Sequence, residues 1–409
     1  MKSPRISGCL AKILPVLVAV LVLSLSNPTT SRAAHAAPTP KPKHVFIIIL
    51  ENEGYDVTFG RHSPAVYLKW LAGQGALLRN YYGIGHNSLD NYLAMASGQA
   101  PNPVTQDDCQ NYADFTPQAG PTEYGQARGE GCIFPSSVST VANQLEQKQL
   151  TWKGYMEDMG NNPNRERATC GQPVGTNPDS TQHAEKDDQY AARHNPFVYF
   201  HAIIDNAADC SAHVVNFSAL ATDLKDISTT PNYVFITPNL CHDAHDPTEK
   251  GKPCANGEPG GLTSANKFLK ENVPMILAAP AFRQDGLLIV TFDESDLDYG
   301  QDPATKQWKL VGGDASACCK ERPGPNIRRD AIISGRHDLG PGIIGPGGGR
   351  IGAVLVSPYI KPGTVSKVPY NHYAMLRSIE DFFGLDHLGY AAQTGLKSFG
   401  KDIFNKPKE

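Results

Sequence analysis

Val45-Phe46-Ile47-Ile48-Ile49-Leu50 is an unbroken apolar run that stops at Glu51-Asn52. A short, continuous, β-branched run of this kind predicts a strand covered on both faces, as in the parallel sheets of α/β proteins. Three further runs share its character, at 233–236, 287–292 and 351–356. Between them the spacing of apolar residues predicts helices over 65–71, 89–96, 137–150, 264–277 and 373–383. Strands alternating with helices predict a layered α/β/α domain with a largely parallel central sheet. Ligands collect beyond the carboxyl ends of the strands in such sheets, so the residues just after each run are where chemistry is expected.

The chain has 409 residues and a formal net charge of −4, with 37 Lys and Arg against 41 Asp and Glu. That balance, without a basic block, argues against nucleic acid or an anionic membrane as a standing partner. Lys2 and Arg5 precede the apolar residues 13–25, and Ala33-Ala34-His35-Ala36-Ala37 offers small residues for cleavage. Residues 1–36 are therefore expected to be a secretory signal cut near Ala36, leaving no stable membrane anchor. A Pro-rich tether at 37–43, a single domain over 44–400 and a tail at 401–409 complete the expected organisation.

Outside the leader the cysteines are Cys109, Cys132, Cys170, Cys210, Cys241, Cys254, Cys318 and Cys319. An even number in an exported chain predicts disulfides. Cys109 with Cys132 and Cys241 with Cys254 would close short loops, whereas the adjacent Cys318 and Cys319 are awkward partners for each other. No paired Cys-x-x-Cys knuckle is present, so a zinc ribbon is excluded. Stretches rich in Gly, Pro, Asn and Asp at about 100–195 and 296–348 read as insertions pinned by disulfides over the strand ends.

Polar clusters follow the apolar runs. After Glu51-Asn52 comes Gly85-His86-Asn87-Ser88-Leu89-Asp90-Asn91-Tyr92, which puts a hydroxyl next to histidine and amide donors. The second run exits into His242-Asp243-Ala244-His245-Asp246 and the third into Asp293-Glu294; Asn371-His372 opens the last helix. Neutral imidazole nitrogens and carboxylate oxygens are the donors a divalent cation prefers, and their convergence on one sheet edge predicts a metal-assisted site.

These clusters give the chain a close resemblance to the phosphoesterases that include secreted acid phosphatases and phosphocholine-type phospholipases C, in the alkaline-phosphatase-like superfamily. The matching pieces include Leu50-Glu51-Asn52, Gly85-His86-x-Ser88-Leu89-x-Asn91-Tyr92, Pro238-Asn239-Leu240-x-His242-Asp243-x-His245-Asp246, Phe292-Asp293-Glu294, Ser357-Pro358-Tyr359 and Asn371-His372. They fall in one order over nearly all of the mature chain. The form around Ser88 is more similar to the acid phosphatase branch.

The resemblance implies an alkaline-phosphatase-like fold and a secreted, metal-dependent hydrolase of phosphate monoesters. Ser88 would be the nucleophile, forming a phosphoserine. Glu51 and Asn52 would be the first metal ligands and Asp293 with Glu294 the second ligand pair, with Ser88 also at the metal. Asp243 and Asp246 would contribute to one or two ions in all, since Glu294 stands where two-metal relatives have histidine. His242, His245 and His372 would either complete a second site or donate protons, and Asn87 and Asp90 stand where the family often has proline. Residue chemistry alone lets His86 and Asn91 donate hydrogen bonds to phosphoryl oxygens, with a helix-start role for Asn91 as the alternative.

The alternatives are a phospholipase C or other phosphodiesterase acting on phospholipid, and a secreted binding protein without turnover. No sulfatase motif of the Cys/Ser-x-Pro-x-Arg type occurs in the mature chain, and the Gly-x-Ser-x-Gly elbow of serine esterases is absent.

Overall fold

The central sheet has eight strands and is built outward from the opening apolar run. The computed structural model describes residues 40–247, 252–301, 304, 308–327, 332–333, 336–337 and 347–406. The expected signal sequence, the start of the tether, the end of the tail and much of the second expected insertion lie outside them. The strands are β1 (His44–Leu50), β2 (Ala76–Leu78), β3 (Trp152–Met156), β4 (Val214–Asn216), β5 (Tyr233–Thr237), β6 (Gly286–Phe292), β7 (Ala353–Val356) and β8 (Thr364–Ser366). Their order is β8-β2-β7-β6-β1-β5-β3-β4. Only β7 runs antiparallel to its neighbours. The largely parallel sheet expected from the sequence is thus observed, with β1 between β5 and β6.

Side chains alternate across the sheet, and aromatic contacts show which helices take each face. Phe46 meets Phe282 of α5 (Pro280–Asp285) at 6.1 Å between ring centroids. Phe235, in register with Ile47, meets Tyr92 of α2 (Ser88–Ser97) on the other face. There α2 packs with α6 (His372–Phe383) and α3 (Val141–Gln147), while α1 (Val66–Gln74) packs with α4 (Gly261–Ala278) and α4 with α5. The result is the predicted α/β/α layering. Ile47, Ile49 and the next odd residue, Glu51, therefore point toward α2, which matters for everything that follows.

The helix that carries Ser88 is held at both ends. Gly98, at φ 67°, closes its C-terminus by donating its N–H to the Ala94 carbonyl. At the N-terminus Asp108 Oδ1 accepts from the Leu89 N–H at 2.9 Å, satisfying one of the orphan donors of the first turn. Helix α6 is capped by Asn371, whose side chain accepts from the Ala374 N–H, and it buries Leu376, Ile379 and Phe382 against the core. Each such side chain contributes about 1.5–3 kcal/mol of burial.

Two expectations are corrected. The stretch at 100–195 is more than loop, because β3 lies within it and pairs with β4 and β5 inside the main sheet. Cys318 and Cys319 do pair with each other. The remaining bonds are the expected Cys109–Cys132 and Cys241–Cys254, together with Cys170–Cys210.

Candidate active site

Register places the first two acids. Leu50 of β1 is paired with Phe292 of β6, so Glu51 and Asp293 leave the sheet side by side, and the Asp293 N–H donates to the Leu50 carbonyl at 2.8 Å. On the other flank of β1 the Glu51 N–H donates to the Asp243 carbonyl at 2.7 Å, which draws the loop after β5 to the same point. Asn52 then turns back with φ 47°, a left-handed conformation that asparagine tolerates better than most residues. Its N–H donates to Asp293 Oδ1 at 3.0 Å.

Ser88, the first residue of α2, donates its hydroxyl to Glu51 Oε2 at 2.7 Å. Tyr92, one turn later, donates to the other oxygen, Glu51 Oε1. The loop before Ser88 is pinned by Asn91: its Oδ1 accepts from the Ile84 N–H at 2.9 Å, and its Nδ2 donates to the Gly85 carbonyl at 3.0 Å. Gly85 is packed against the buried Asp90, whose carboxyl would have to shift for a side chain there, since a Cβ would lie 2.6 Å from Asp90 Oδ2.

The surroundings are dry and acidic. Burial, then the neighbouring charges of Asp293 and Asp243, holds the Glu51 carboxyl well above the ordinary range. Asp293 is pushed up to about 6 by burial, and burial likewise raises Asp243 and Glu294. Between Glu51 and Asp243 sits His194, stacked on Tyr92 at 5.3 Å. Its Nε2 is 3.3 Å from Glu51 Oε2 and its Nδ1 3.5 Å from Asp243 Oδ2. Burial, with Arg193 and His245 nearby, keeps this imidazole neutral, so one N–H faces two carboxyls. His194 Nε2, Asp243 Oδ2 and Asp293 Oδ2 are buried without a hydrogen-bond partner among the described residues, since the His194 contacts are too poorly aligned to count.

This donor set fits a divalent cation. Ligand atoms of Glu51, His194 and Asp243 lie within 4.8 Å of one another. The side-chain amide of Asn52 lies against Glu51 Oε2 at 3.2 Å and Asp293 Oδ1 at 3.3 Å, close enough for its nitrogen to donate to both. With the amide turned the other way, its oxygen would join theirs around a cation.

Other expected residues are spent elsewhere. His242 points away: burial works against its charge, but Glu157 at 2.9 Å and Glu258 at 2.9 Å hold its pKa up at about 9. His372 is buried with Nε2 at 2.5 Å from the Asp293 carbonyl and Nδ1 at 3.1 Å from Tyr81 Oη, and burial lowers its pKa to about 4. It supports the backbone of Asp293, with both nitrogens engaged. His86 Nδ1 lies 2.6 Å from Glu294 Oε2 and its Nε2 donates to the Asp314 carbonyl at 3.2 Å; burial lowers it to about 3. Asn91 has its amide engaged by the loop. His245 and Asp246 do line the cavity in front of Ser88, a volume of about 580 Å³ that also touches Asn52, Glu294, Asp108 and Arg193.

Sequence reasoning did not find His194, Arg193, Asp108 or the hydroxyl of Tyr92. A signal existed for the first two: Arg193-His194-Asn195 opens directly onto Pro196-Phe197-Val198-Tyr199-Phe200, an apolar run out of character with a polar insertion. All five of those apolar residues are buried.

The model of the phosphoesterase family matches residues 63–386. A phosphate-repressible acid phosphatase of Penicillium chrysogenum is 29% identical over 229 residues, covering 56% of this chain and 43% of its own. A probable acid phosphatase of Kluyveromyces lactis is 30% identical over 259 residues, covering 63% and 48%. The chain thus spans about half the length of these two relatives. A phosphatidylinositol-3-phosphatase of Mycobacterium tuberculosis is 21% identical over 379 residues, covering 93% and 89%.

Proposed function

The chain belongs to the phosphoesterase family, and from that premise we propose that it hydrolyses phosphate monoesters, as an acid phosphatase does, through a phosphoserine on Ser88. The observation that carries this is the 2.7 Å hydrogen bond from the Ser88 hydroxyl to Glu51 Oε2 at the floor of a polar cavity. In the form in which the Glu51 carboxylate is ionised, Ser88 Oγ forms a bond to phosphorus as the ester P–O bond breaks, and the hydroxyl proton passes to Glu51 Oε2, the atom it already faces. The departing alkoxide takes a proton from water in the open cavity. The hydroxide so formed attacks phosphorus, the Oγ–P bond breaks, and Ser88 takes back the proton held by Glu51, leaving hydrogen phosphate as product.

A divalent cation held by Glu51, Asn52, Asp293, Asp243 and His194 would supply positive charge for the phosphoryl oxygens and favour ionisation of the serine hydroxyl. Tyr92 and His372 keep the residues around it in place. Monoester rather than diester hydrolysis is favoured by the relatives, each of which is named a phosphatase. Four disulfides among the described residues favour an oxidising location outside the cytoplasm. None of the described helices is long and apolar enough to cross a membrane.

The test is turnover of 4-nitrophenyl phosphate by wild-type protein and Ser88→Ala, with acid quench to trap phosphoprotein. Wild type should release nitrophenol and yield acid-stable phosphate on Ser88, and the variant should do neither. Wild-type turnover by Ser88→Ala would remove the serine from the mechanism. Faster turnover of a phosphatidylcholine than of the monoester would favour the phospholipase alternative.

A further inference from the structure

Arg193 lies in a 3-10 turn, Ala192–His194, that also delivers His194 to Glu51. It is 8% exposed and lines the cavity that contains Ser88. The guanidinium is only partly committed. Its Nη1 donates to the Gln182 carbonyl at 3.0 Å, and its Nε is 3.9 Å from Asp108 Oδ2, an ion pair too long to be a hydrogen bond. Nη2 makes no hydrogen bond among the described residues.

The helix N-terminus beneath Ser88 does not offer the substrate the usual anion site, because Asp108 already accepts from the Leu89 N–H. The rest of the cavity wall brings the carboxyls of Asp108, Asp246 and Glu294 and the imidazole of His245, which burial lowers to about 4, while His183 is exposed. Beside any ion held at Glu51 and its neighbours, a phosphate dianion entering this space is favoured by a fixed cation that belongs to the wall. Lys252 is exposed, and a mobile, strongly hydrated ammonium is a weak substitute for a planar, buried fork.

We propose that Arg193 is the residue that grips the phosphoryl group, its guanidinium binding non-bridging oxygens of the substrate above Ser88 and making the site selective for dianionic monoesters over monoanionic diesters. The selectivity rests on the monoesterase reading given above. The grip itself concerns any phosphate dianion, including the inorganic product. Guanidinium groups suit this task because two parallel N–H donors match two phosphoryl oxygens, and a diester has one fewer charged oxygen to offer.

Two measurements decide it. Inorganic phosphate binding is followed by calorimetry on wild type, Arg193→Gln and Arg193→Lys, and turnover is compared on 4-nitrophenyl phosphate and 4-nitrophenyl methyl phosphate, which share a leaving group. Loss of one charge-assisted contact predicts phosphate affinity roughly 10- to 100-fold weaker in R193Q. R193K, which keeps the charge but not the fork, should lose several-fold. Monoester kcat/KM should fall at least tenfold further than diester kcat/KM. Unchanged phosphate affinity in R193Q, or in R193K should R193Q not fold, overturns the proposal, as does an equal fall on both esters. If the wild type hydrolyses neither ester, the monoesterase reading fails while the calorimetry still judges Arg193.

Discussion

Replacing Asn91 by alanine separates two roles that its position permits, ligand of the phosphoryl group or clasp of the nucleophile loop. The structure assigns the clasp. Two well-formed hydrogen bonds, Ile84 N–H to Oδ1 at 2.9 Å and Nδ2 to the Gly85 carbonyl at 3.0 Å, join the loop to α2, and two longer ones reach Gly85 N at 3.4 Å and the Asn87 carbonyl at 3.3 Å. Asn91 is fully buried and Ile84 nearly so, leaving water no ready access to the groups that alanine would strand. At about 1–3 kcal/mol for each buried group left unpaired, the two strong bonds alone put the cost near 4 kcal/mol. The better helix propensity of alanine returns only about 0.5 kcal/mol. In a domain of this size the thermal midpoint should fall by roughly 5 °C or more. Activity should fall as well, about 100-fold, because a loop shift of about 1 Å displaces Ser88 Oγ from its line of attack. Differential scanning calorimetry and initial rates on one preparation test the pair of effects. An N91A protein that melts with the wild type but binds inorganic phosphate weakly would refute the clasp and put the amide on the substrate.

Three other expectations follow from the same geometry. Glu51→Gln keeps the shape of the side chain but loses its charge, so purified wild type should carry divalent metal through gel filtration and E51Q should not; equal metal by elemental analysis would take Glu51 out of the ligand set. Cys241 and Cys254, 13 residues apart, brace one wall of the cavity, and their joint replacement by serine should cost about 3 kcal/mol by loop entropy, read as a lower thermal midpoint under non-reducing conditions. Glu380 is buried, accepts from the Leu388 N–H at 2.8 Å, and is pushed up to about 9 chiefly by burial. As an acid that holds its proton more tightly when folded, it leaves stability intact below about pH 4.5 and erodes it by up to about 1.4 kcal/mol per pH unit toward pH 9. Glu380→Gln should therefore narrow the difference in thermal midpoint between pH 5 and pH 8, and an unchanged difference would contradict the burial argument.

The strands that build the sheet's centre were legible because a strand buried on both faces is a continuous apolar run, and β1, β5, β6 and β7 all read that way. Their ends were legible too: Glu51 and Asp293 are adjacent because their strands are parallel neighbours in register. The two outer strands on each flank were not legible. β2, β4 and β8 have three residues each, too few for a period, and Lys153-Gly154 breaks the apolar character of β3. That loss hid His194, which follows β3 in a segment taken for an insertion. The cluster at 242–246 misled differently. Asp243 turns into the site while His242, one residue earlier, turns out to Glu157, because consecutive residues in a tight turn face different ways. Closeness along the chain overstated what histidine contributed there and concealed the histidine that reaches Glu51 from elsewhere.

The distribution of main-chain bonds explains why so acidic a site can exist before any cation enters it. Glu51, Asp243, Asp293 and Glu294 are buried together, and their raised pKa values mean that each resists ionisation where it sits. Charge alone would push these groups apart. The backbone does not let them move: the Glu51 N–H is tied to the Asp243 carbonyl, the Asp293 N–H to the Leu50 carbonyl, and the N–H groups of Asn52 and Glu294 to Asp293 Oδ1. Protons rather than displacement therefore relieve the repulsion when no cation is bound, and a cation that binds must expel them. Metal affinity should accordingly rise with pH while the backbone around the site stays in place. The carboxyl cluster is then a cost in stability that the sheet and its loops bear for the sake of the chemistry, which fits the wider pattern that sites evolved for function are not optimised for folding.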